Sequence, residues 1–410
     1  MKPCSTLVAA LLACAAARAG SLEWPQFAGP HRNFTSDAKG LADRWPASGP
    51  KKIWTRDLGE GYSGVAVDGA ALYTMYRRGE QEIALAAATA TGQTIWEHAG
   101  NAPFRSGMAM ENGPGPHATP LVTADAVYVV GILANLLCLD KNTGKLLWSH
   151  DLWREFNGTV MDRGYSGSPI AWKDTVIMKA GGAGHALIAF RQKTGKVVWQ
   201  KQDFRNSPSS PVLIRVDGQD QLVAAMSDDV IGLNPDTGDL LWKHPHSTSW
   251  GLNIALPLWT DDNTLFVSSA YNGGCVALQL HVVNGTTQVK ELWSSNRLRV
   301  HIGNLLRIGD MVVGSSGDFG PAPMTAVDAK TGKVLWQDRS FPKAAFLHAD
   351  GKLIVVDEDG NVSLATVSPA GVKVLARAEL LHRNAWTPPS LAGSTLYVRD
   401  RKSLLALDLR

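Results

Sequence analysis

The sequence predicts an all-β chain, an eight-bladed β-propeller of four-stranded antiparallel blades, and three observations carry that prediction. The first is a phrase repeated five times: TATGQTIW (89–96), KNTGKLLW (141–148), QKTGKVVW (192–199), PDTGDLLW (235–242) and AKTGKVLW (329–336). The second is its period. Trp54 and Trp293 join the series without an intact turn. The tryptophans at 54, 96, 148, 199, 242, 293 and 336 then stand 42, 52, 51, 43, 51 and 43 residues apart, close to the length of one four-stranded blade. The third is a small residue ahead of each inner strand, at Gly64, Ala118, Gly167, Ser209, Ala255, Gly303, Ala345 and Thr387. Inner strands converge on an axis, where a large side chain would clash.

Each element follows in chain order. Residues 1–19 read as a secretory signal: Lys2 gives a basic start, Leu7 to Ala13 a short apolar run, and Ala17-Arg18-Ala19 a small-x-small cleavage site. Leu11-Leu12-Ala13-Cys14 also reads as a lipobox, which would leave Cys14 acylated. Residues 20–50 form an N-terminal extension and residues 51–410 the propeller. Seven blades begin near Ser63, Thr119, Ser168, Ser210, Leu256, Asn304 and Phe346, and the eighth lies in the C-terminal STLYVRDRKSLLALDLR (394–410). Within a blade, apolar strands such as AVYVVG (126–131) and LLCLD (136–140) precede the Thr-Gly turn. There Gly supplies a positive φ, and Trp lies on the returning outer strand. The last blade has no returning strand, whereas KKIWTRDL (51–58) is an outer strand with no hairpin before it. The two fragments complement each other and close the ring, which leaves no open sheet edge.

A chain of 410 residues with 45% apolar content buries a large core without difficulty. Its formal charge of +3 falls to +1 without Lys2 and Arg18 of the leader, which gives no case for nucleic-acid binding. Cys138 and Cys275 fall in strands of different blades and read as buried, reduced packing residues. No segment is long and apolar enough to span a membrane as a helix. The sequence contains no G-x-S-x-G, H-E-x-x-H, G-x-x-x-x-G-K-[ST] or paired-Cys zinc spacing.

The blade phrase resembles the PQQ-like repeat of quinoprotein dehydrogenases and of the BamB type of outer-membrane assembly lipoprotein. It is more similar still to exported bacterial PQQ-binding-like repeat proteins. Four further phrases carry that likeness: Trp24-Pro25-Gln26-Phe27-Ala28-Gly29-Pro30-His31-Arg32-Asn33, Gly115-Pro116-His117-Ala118-Thr119-Pro120, Gly164-Tyr165-Ser166-Gly167-Ser168-Pro169, and Trp386-Thr387-Pro388-Pro389 with Leu396-Tyr397-Val398-Arg399-Asp400. The resemblance covers residues 24–410. It implies the fold and an envelope setting. In quinoprotein dehydrogenases of this type, PQQ and Ca²⁺ sit in the funnel against a disulfide between adjacent cysteines. This chain has no Cys-Cys pair, and Glu111, Asp162 and Asp318 are the nearest acids to the funnel. Ca²⁺ requires several converging oxygens, so no cofactor is assigned, and PQQ with Ca²⁺ remains the alternative.

Aligning the repeats places one residue per blade at the funnel mouth: Tyr62, His117, Tyr165, Ser207, Asn253, His301, Lys343 and Trp386. Arg105, Arg163, Arg205, Arg299 and Arg383 flank them. An opening lined by rings, imidazoles and cations suits a small anionic ligand. The expected function is a non-catalytic, monomeric, exported binding or scaffolding module with protein partners in the periplasm or at the cell envelope. Two alternatives stand beside it: a PQQ-dependent alcohol or sugar dehydrogenase, and a module that binds an anion, sugar or peptide in the central funnel.

Overall fold

A computed structural model describes residues 23–105, 108 and 113–410; the stretch read as a leader, with Cys4 and Cys14, and Glu111 lie outside the described residues. Eight sheets follow one another along the chain, and each contains four antiparallel strands in meander order. In blade 1 these are Ala66–Asp68, Ala71–Arg78, Gln81–Ala88 and Thr94–Asn101. Blades 2 to 7 repeat the pattern, with inner strands at Leu121–Val122, Ile170–Trp172, Val212–Val216, Leu258–Thr260, Leu306–Ile308 and Ala344–Ala349. Blade 8 consists of Ser390–Ala392, Thr395–Arg399 and Ser403–Asp408, and its outer strand is the N-terminal Lys51–Asp57, with Trp54 opposite Ala406. The ring therefore closes as the sequence predicts.

At five of the eight seams the recurring Trp joins one blade to the next. A Cβ added to Gly144 would lie 2.5 Å from the Trp96 ring of the preceding blade, and Gly92 meets Trp54, Gly195 meets Trp148, Gly238 meets Trp199 and Gly332 meets Trp293 in the same way. Each indole N–H also donates to the carbonyl three residues before that Gly: Trp54 to Thr89, Trp96 to Lys141, Trp148 to Gln192, Trp199 to Pro235 and Trp293 to Ala329, over 2.8–3.2 Å. The Gly is thus required twice, for its left-handed φ of about +69° at Gly144 and for its bare Cα. Three seams depart from this: the blade 7 outer strand, Gly371–Glu379, carries no Trp; the Trp336 N–H donates to the Ser368 carbonyl at 3.0 Å, but Gly371, three residues on, meets no ring; and Trp242 turns back into its own blade. Blade 5 lacks the Thr-Gly turn, joining its third and fourth strands through Asn284-Gly285, and the Trp242 N–H donates instead to Gln221 Oε1 at 2.7 Å.

Near the axis the small residues permit side chains to bond across blades. The Thr119 N–H donates to Ser168 Oγ at 3.0 Å, the Ser168 N–H to Ser210 Oγ at 2.9 Å, and Ser390 Oγ to the Val65 carbonyl at 2.7 Å. Two buried cations add further ties. Lys179 Nζ donates to the Ser209 and Ala225 carbonyls of blade 4 at 2.8 and 2.6 Å. The fully buried Arg399 crosses the closing seam to the Gly61, Ser63 and Met75 carbonyls and Thr74 Oγ1 of the blade 1 region, over 2.7–3.0 Å.

The N-terminal extension is part of this core. Trp24 bridges Val67 of blade 1, the Pro25 carbonyl accepts from the Val122 N–H of blade 2, and Thr35–Ser36 pairs in parallel with the inner strand of blade 7. Ala28 and Phe34 pack with Val212, Leu256, Leu306 and Phe346 of blades 4 to 7. All these partners lie on or beside inner strands, so residues 24–36 cross the axis as a plug. Ala28, Gly29, Arg32 and Phe34 take positive φ to coil it. Inner strands run from the mouth toward the base, and the plug joins their basal half. Cys138 and Cys275 are buried and unpaired, as expected.

Two outcomes check this assembly. Gly144→Ala forces a Cβ into the Trp96 ring at a left-handed φ and lowers the unfolding free energy in urea by about 1–3 kcal/mol. Arg399→Met removes the guanidinium from four buried oxygens, of which the Ser63 carbonyl and Thr74 Oγ1 keep only each other, and costs about 3 kcal/mol or more; calorimetry shows it as a lower melting temperature.

Candidate functional site

The turns that lead into inner strands and the loops joining second to third strands share one end of the ring. Tyr62 lies ahead of blade 1, its backbone N–H donating to the Pro116 carbonyl at 2.8 Å, which brings His117 of the blade 2 approach beside it. The two rings stack at 5.7 Å with an interplanar angle of 24°. On its other side Tyr62 stacks on Trp386 of blade 8 at 5.5 Å and 27°. Trp386 is fixed by Thr387 Oγ1, which donates to the Tyr62 carbonyl at 3.1 Å, and by its indole N–H, which reaches Glu358 Oε2 at 3.3 Å. Lys343 Nζ of blade 7 stands 5.9 Å from the centre of the Trp386 ring, a cation–π contact.

Lys343 then continues the series. Its Nζ donates to His301 Nδ1 at 2.9 Å and to the Asp318 carbonyl at 2.9 Å. An ammonium only donates, so Nδ1 is the acceptor and Nε2 carries the proton of the neutral ring. Nε2 therefore donates to Tyr271 Oη at 2.6 Å. Burial, and then the Lys343 charge, push the His301 pKa down to about 3, with Arg163 adding to the effect across the mouth and Asp318 opposing it. Burial takes His117 down to about 4, against its hydrogen bond to the Arg163 carbonyl. Lys343 is itself lowered from the ordinary lysine range by burial, against the pull of Glu358 and Asp318.

Five of the eight aligned positions thus come together: Tyr62, His117, His301, Lys343 and Trp386. The other three turn into the blades. Tyr165 is 1% exposed and its Oη donates to the Lys179 carbonyl at 2.7 Å. Ser207 Oγ donates to the Ala225 carbonyl at 2.7 Å. Asn253 is fully buried, with Nδ2 donating to the Met226 and His246 carbonyls and Oδ1 accepting from Ser269 Oγ. Arg105 lies over the Trp153 ring at 5.0 Å, Arg383 pairs with Asp359 at 3.4 Å, and the Arg299 N–H donates to Ser316 Oγ. The Arg205 carbonyl accepts from the Ser227 N–H. Tyr271 was not among the aligned positions, because it lies in the loop between the second and third strands of blade 5. It also carries an exposed aromatic flank: Trp250 stacks on it at 5.2 Å and Phe319 lies 5.6 Å away, with exposures of 58% and 71%.

Among the described residues no three His, Cys, Asp or Glu side chains converge as a metal site requires. The groups at the mouth are rings and cations, with the Asp318 carboxylate held by backbone N–H groups of its own turn and of Tyr271, and Glu358 by the Trp386 indole. This set does not fit Ca²⁺, which takes converging oxygens; it fits a carboxylate or another anion.

His117, His246 and His301 are all held below the ordinary imidazole value, His246 also to about 4 by burial and then by the His244 charge. Their unfolded forms bind protons first. The stability they contribute is complete above pH ~6.5 and declines as pH falls toward 4, by at most about 1.4 kcal/mol per pH unit for each. Urea midpoints between pH 7 and 4.5 fall accordingly, and the slope is shallower in His301→Gln.

The sequence model of a family described as outer membrane protein assembly factor BamB matches residues 79–338. The outer membrane protein assembly factor BamB of Yersinia pestis is 23% identical over 312 residues, 70% of this chain and 73% of that protein. A quinoprotein ethanol dehydrogenase of Pseudomonas aeruginosa is 25% identical over 299 residues, 62% of this chain but 46% of that protein, so the chain spans about half the length of that enzyme. Among solved structures, BamB from Moraxella catarrhalis superposes with a TM-score of 0.62 at 15% identity, covering 88% of this chain and 100% of that one. The quinohemoprotein alcohol dehydrogenase from Comamonas testosteroni gives 0.66 at 13%, covering 96% and 81%. These superpositions bear on the fold alone, whereas the family match extends over most of the repeat array. The chain belongs to the family of the outer membrane protein assembly factor BamB.

Proposed function

We propose that this chain is a non-catalytic, exported binding propeller of the cell envelope, and that its mouth face holds an acidic segment of a protein partner. One observation carries the reading: the unbroken series His117–Tyr62–Trp386–Lys343–His301–Tyr271, in which neighbouring residues contact one another around the mouth and which draws on six of the eight blades. The rings offer stacking area and Lys343 offers a desolvated cation. Arg163 adds positive charge from the opposite side, felt at His301. Export and envelope placement rest on the leader read from the sequence and on the BamB relatives. A ring tied across most of its seams by Trp and buried-cation contacts suits a rigid platform whose partners bring the flexibility.

The quinoprotein relatives favour a second reading, PQQ-dependent oxidation of an alcohol or sugar. The donor set at the mouth speaks for binding without turnover. Incubation with PQQ and Ca²⁺ followed by an alcohol and an electron-accepting dye distinguishes the two, and no dye reduction is expected.

Binding is tested by calorimetric titration with a synthetic peptide of alternating Asp and Phe. Saturable binding is expected, weakened about tenfold in Lys343→Ala and in Trp386→Ala, and weakened by salt. A lysine counterpart of the peptide that binds equally well would overturn the reading.

A further inference from the structure

A second concavity opens at the other end of the axis. It has a volume of about 610 Å³ and lies between the plug and the basal ends of the inner strands of blades 3, 4 and 5. Its lining includes Trp172, Trp259, Arg32, Arg215, Asp220 and Asp261. That volume falls in the range of small-molecule sites, and the two indoles require explanation. The chain has 14 tryptophans. Seven form the recurring series of the outer strands, Trp24 and Trp45 are buried in the core, and Trp386 stands at the mouth. Trp172 and Trp259 instead lie half-buried on inner strands, at the cavity.

Each indole packs partly against the hydrophobic core and lines the cavity with the rest of its ring. The Trp172 N–H donates to Asp236 Oδ1 at 2.8 Å, and Lys173 Nζ holds the same carboxylate while lying 5.0 Å from the Trp172 ring. The ring is thus locked in place before any ligand arrives. Among the described residues no protein acceptor meets the Trp259 N–H. The polar lining mixes signs, with Arg215 3.8 Å from Asp220 and Asp261 exposed on its turn. Arg32 is anchored through Nε, which donates to Gln26 Oε1 at 3.2 Å. Flat apolar faces beside paired carboxylates and guanidinium groups match a neutral polyhydroxylated ring: its C–H face packs on an indole, and its hydroxyls donate to carboxylates and accept from guanidinium. A strongly anionic ligand would meet Asp220 and Asp261, and a purely apolar one would leave these groups without partners.

We propose that the basal cavity between the plug and blades 3 to 5 is a saccharide-binding site, separate from the mouth and independent of the function proposed for it. The test uses the full chain and three neutral tetrasaccharides, maltotetraose, cellotetraose and chitotetraose, each beside its monosaccharide, followed by tryptophan fluorescence and calorimetry. At least one tetrasaccharide is expected to saturate the protein in the millimolar range or tighter. Trp259→Ala should weaken it about tenfold. Asp261→Ala, on an exposed turn where folding is not at stake, should weaken it as well, and Lys343→Ala should leave it unchanged. The monosaccharide arms distinguish a free sugar, bound as well as its tetramer, from a segment of a longer glycan, bound more weakly as the monomer. No saturation by any probe at about 20 mM, or binding that Trp259→Ala and Asp261→Ala leave intact, or binding that Lys343→Ala abolishes, would overturn the assignment.

Discussion

An indole lying on a bare glycine Cα holds this molecule together. Every propeller must keep its blades from sliding along one another, and sheet-to-sheet packing alone is non-directional. Here, at five of the eight seams, the outer strand of one blade sends a Trp across onto the turn of the next. The flat ring fits only where a Cβ is missing, and its N–H reaches only one carbonyl. The contact therefore sets both the distance and the register between blades. Because Trp54 lies on the N-terminal strand and Gly92 in blade 1, the same contact also operates across the joint between the chain's two ends.

This arrangement explains why the fold is so legible in the sequence. Thr, Gly and Trp recur because each performs one task in a repeated geometry. In blade 2, Asp140 accepts from the Thr143 backbone and hydroxyl to shape the turn, Gly144 takes the left-handed φ, and Trp148 lies on the returning strand. The second role of the glycine was not legible, since the ring it receives belongs to the preceding repeat. The plug was not legible either. Its contacts join residues 24–36 to blades far away in sequence, and no repeat describes a segment that occurs once. Repeat alignment gives the place of a backbone but not the direction of its side chain. Tyr62 and His301 face the mouth, whereas Tyr165 and Asn253, at matching positions, are drawn into the blades by the Lys179, Met226 and His246 carbonyls.

Rigidity at the seams gives the mouth its character. The groups that touch one another there come from six blades, and none could keep its spacing if the blades moved independently. Burial within this frame keeps His301 neutral beside a lysine, which fixes its tautomer and passes the order on to Tyr271. The plug covers the base with Trp24, Phe34 and Arg32, and a cavity opens beside it. The two ends of the axis thus differ in chemistry: rings and cations at the mouth, indoles and paired charges at the base.

Amide hydrogen exchange of Trp54→Ala tests the central claim most directly. If the Trp–Gly contact ties blade to blade and also closes the ring, losing this one ring should raise exchange in 51–57 and 403–408 of blade 8 together with 89–94 of blade 1. Blades 3 to 5 should keep their protection. Unchanged exchange on the blade 1 side of that seam would contradict the account, because the seam would then be held by Arg399 and Ser390 without the Trp54–Gly92 contact.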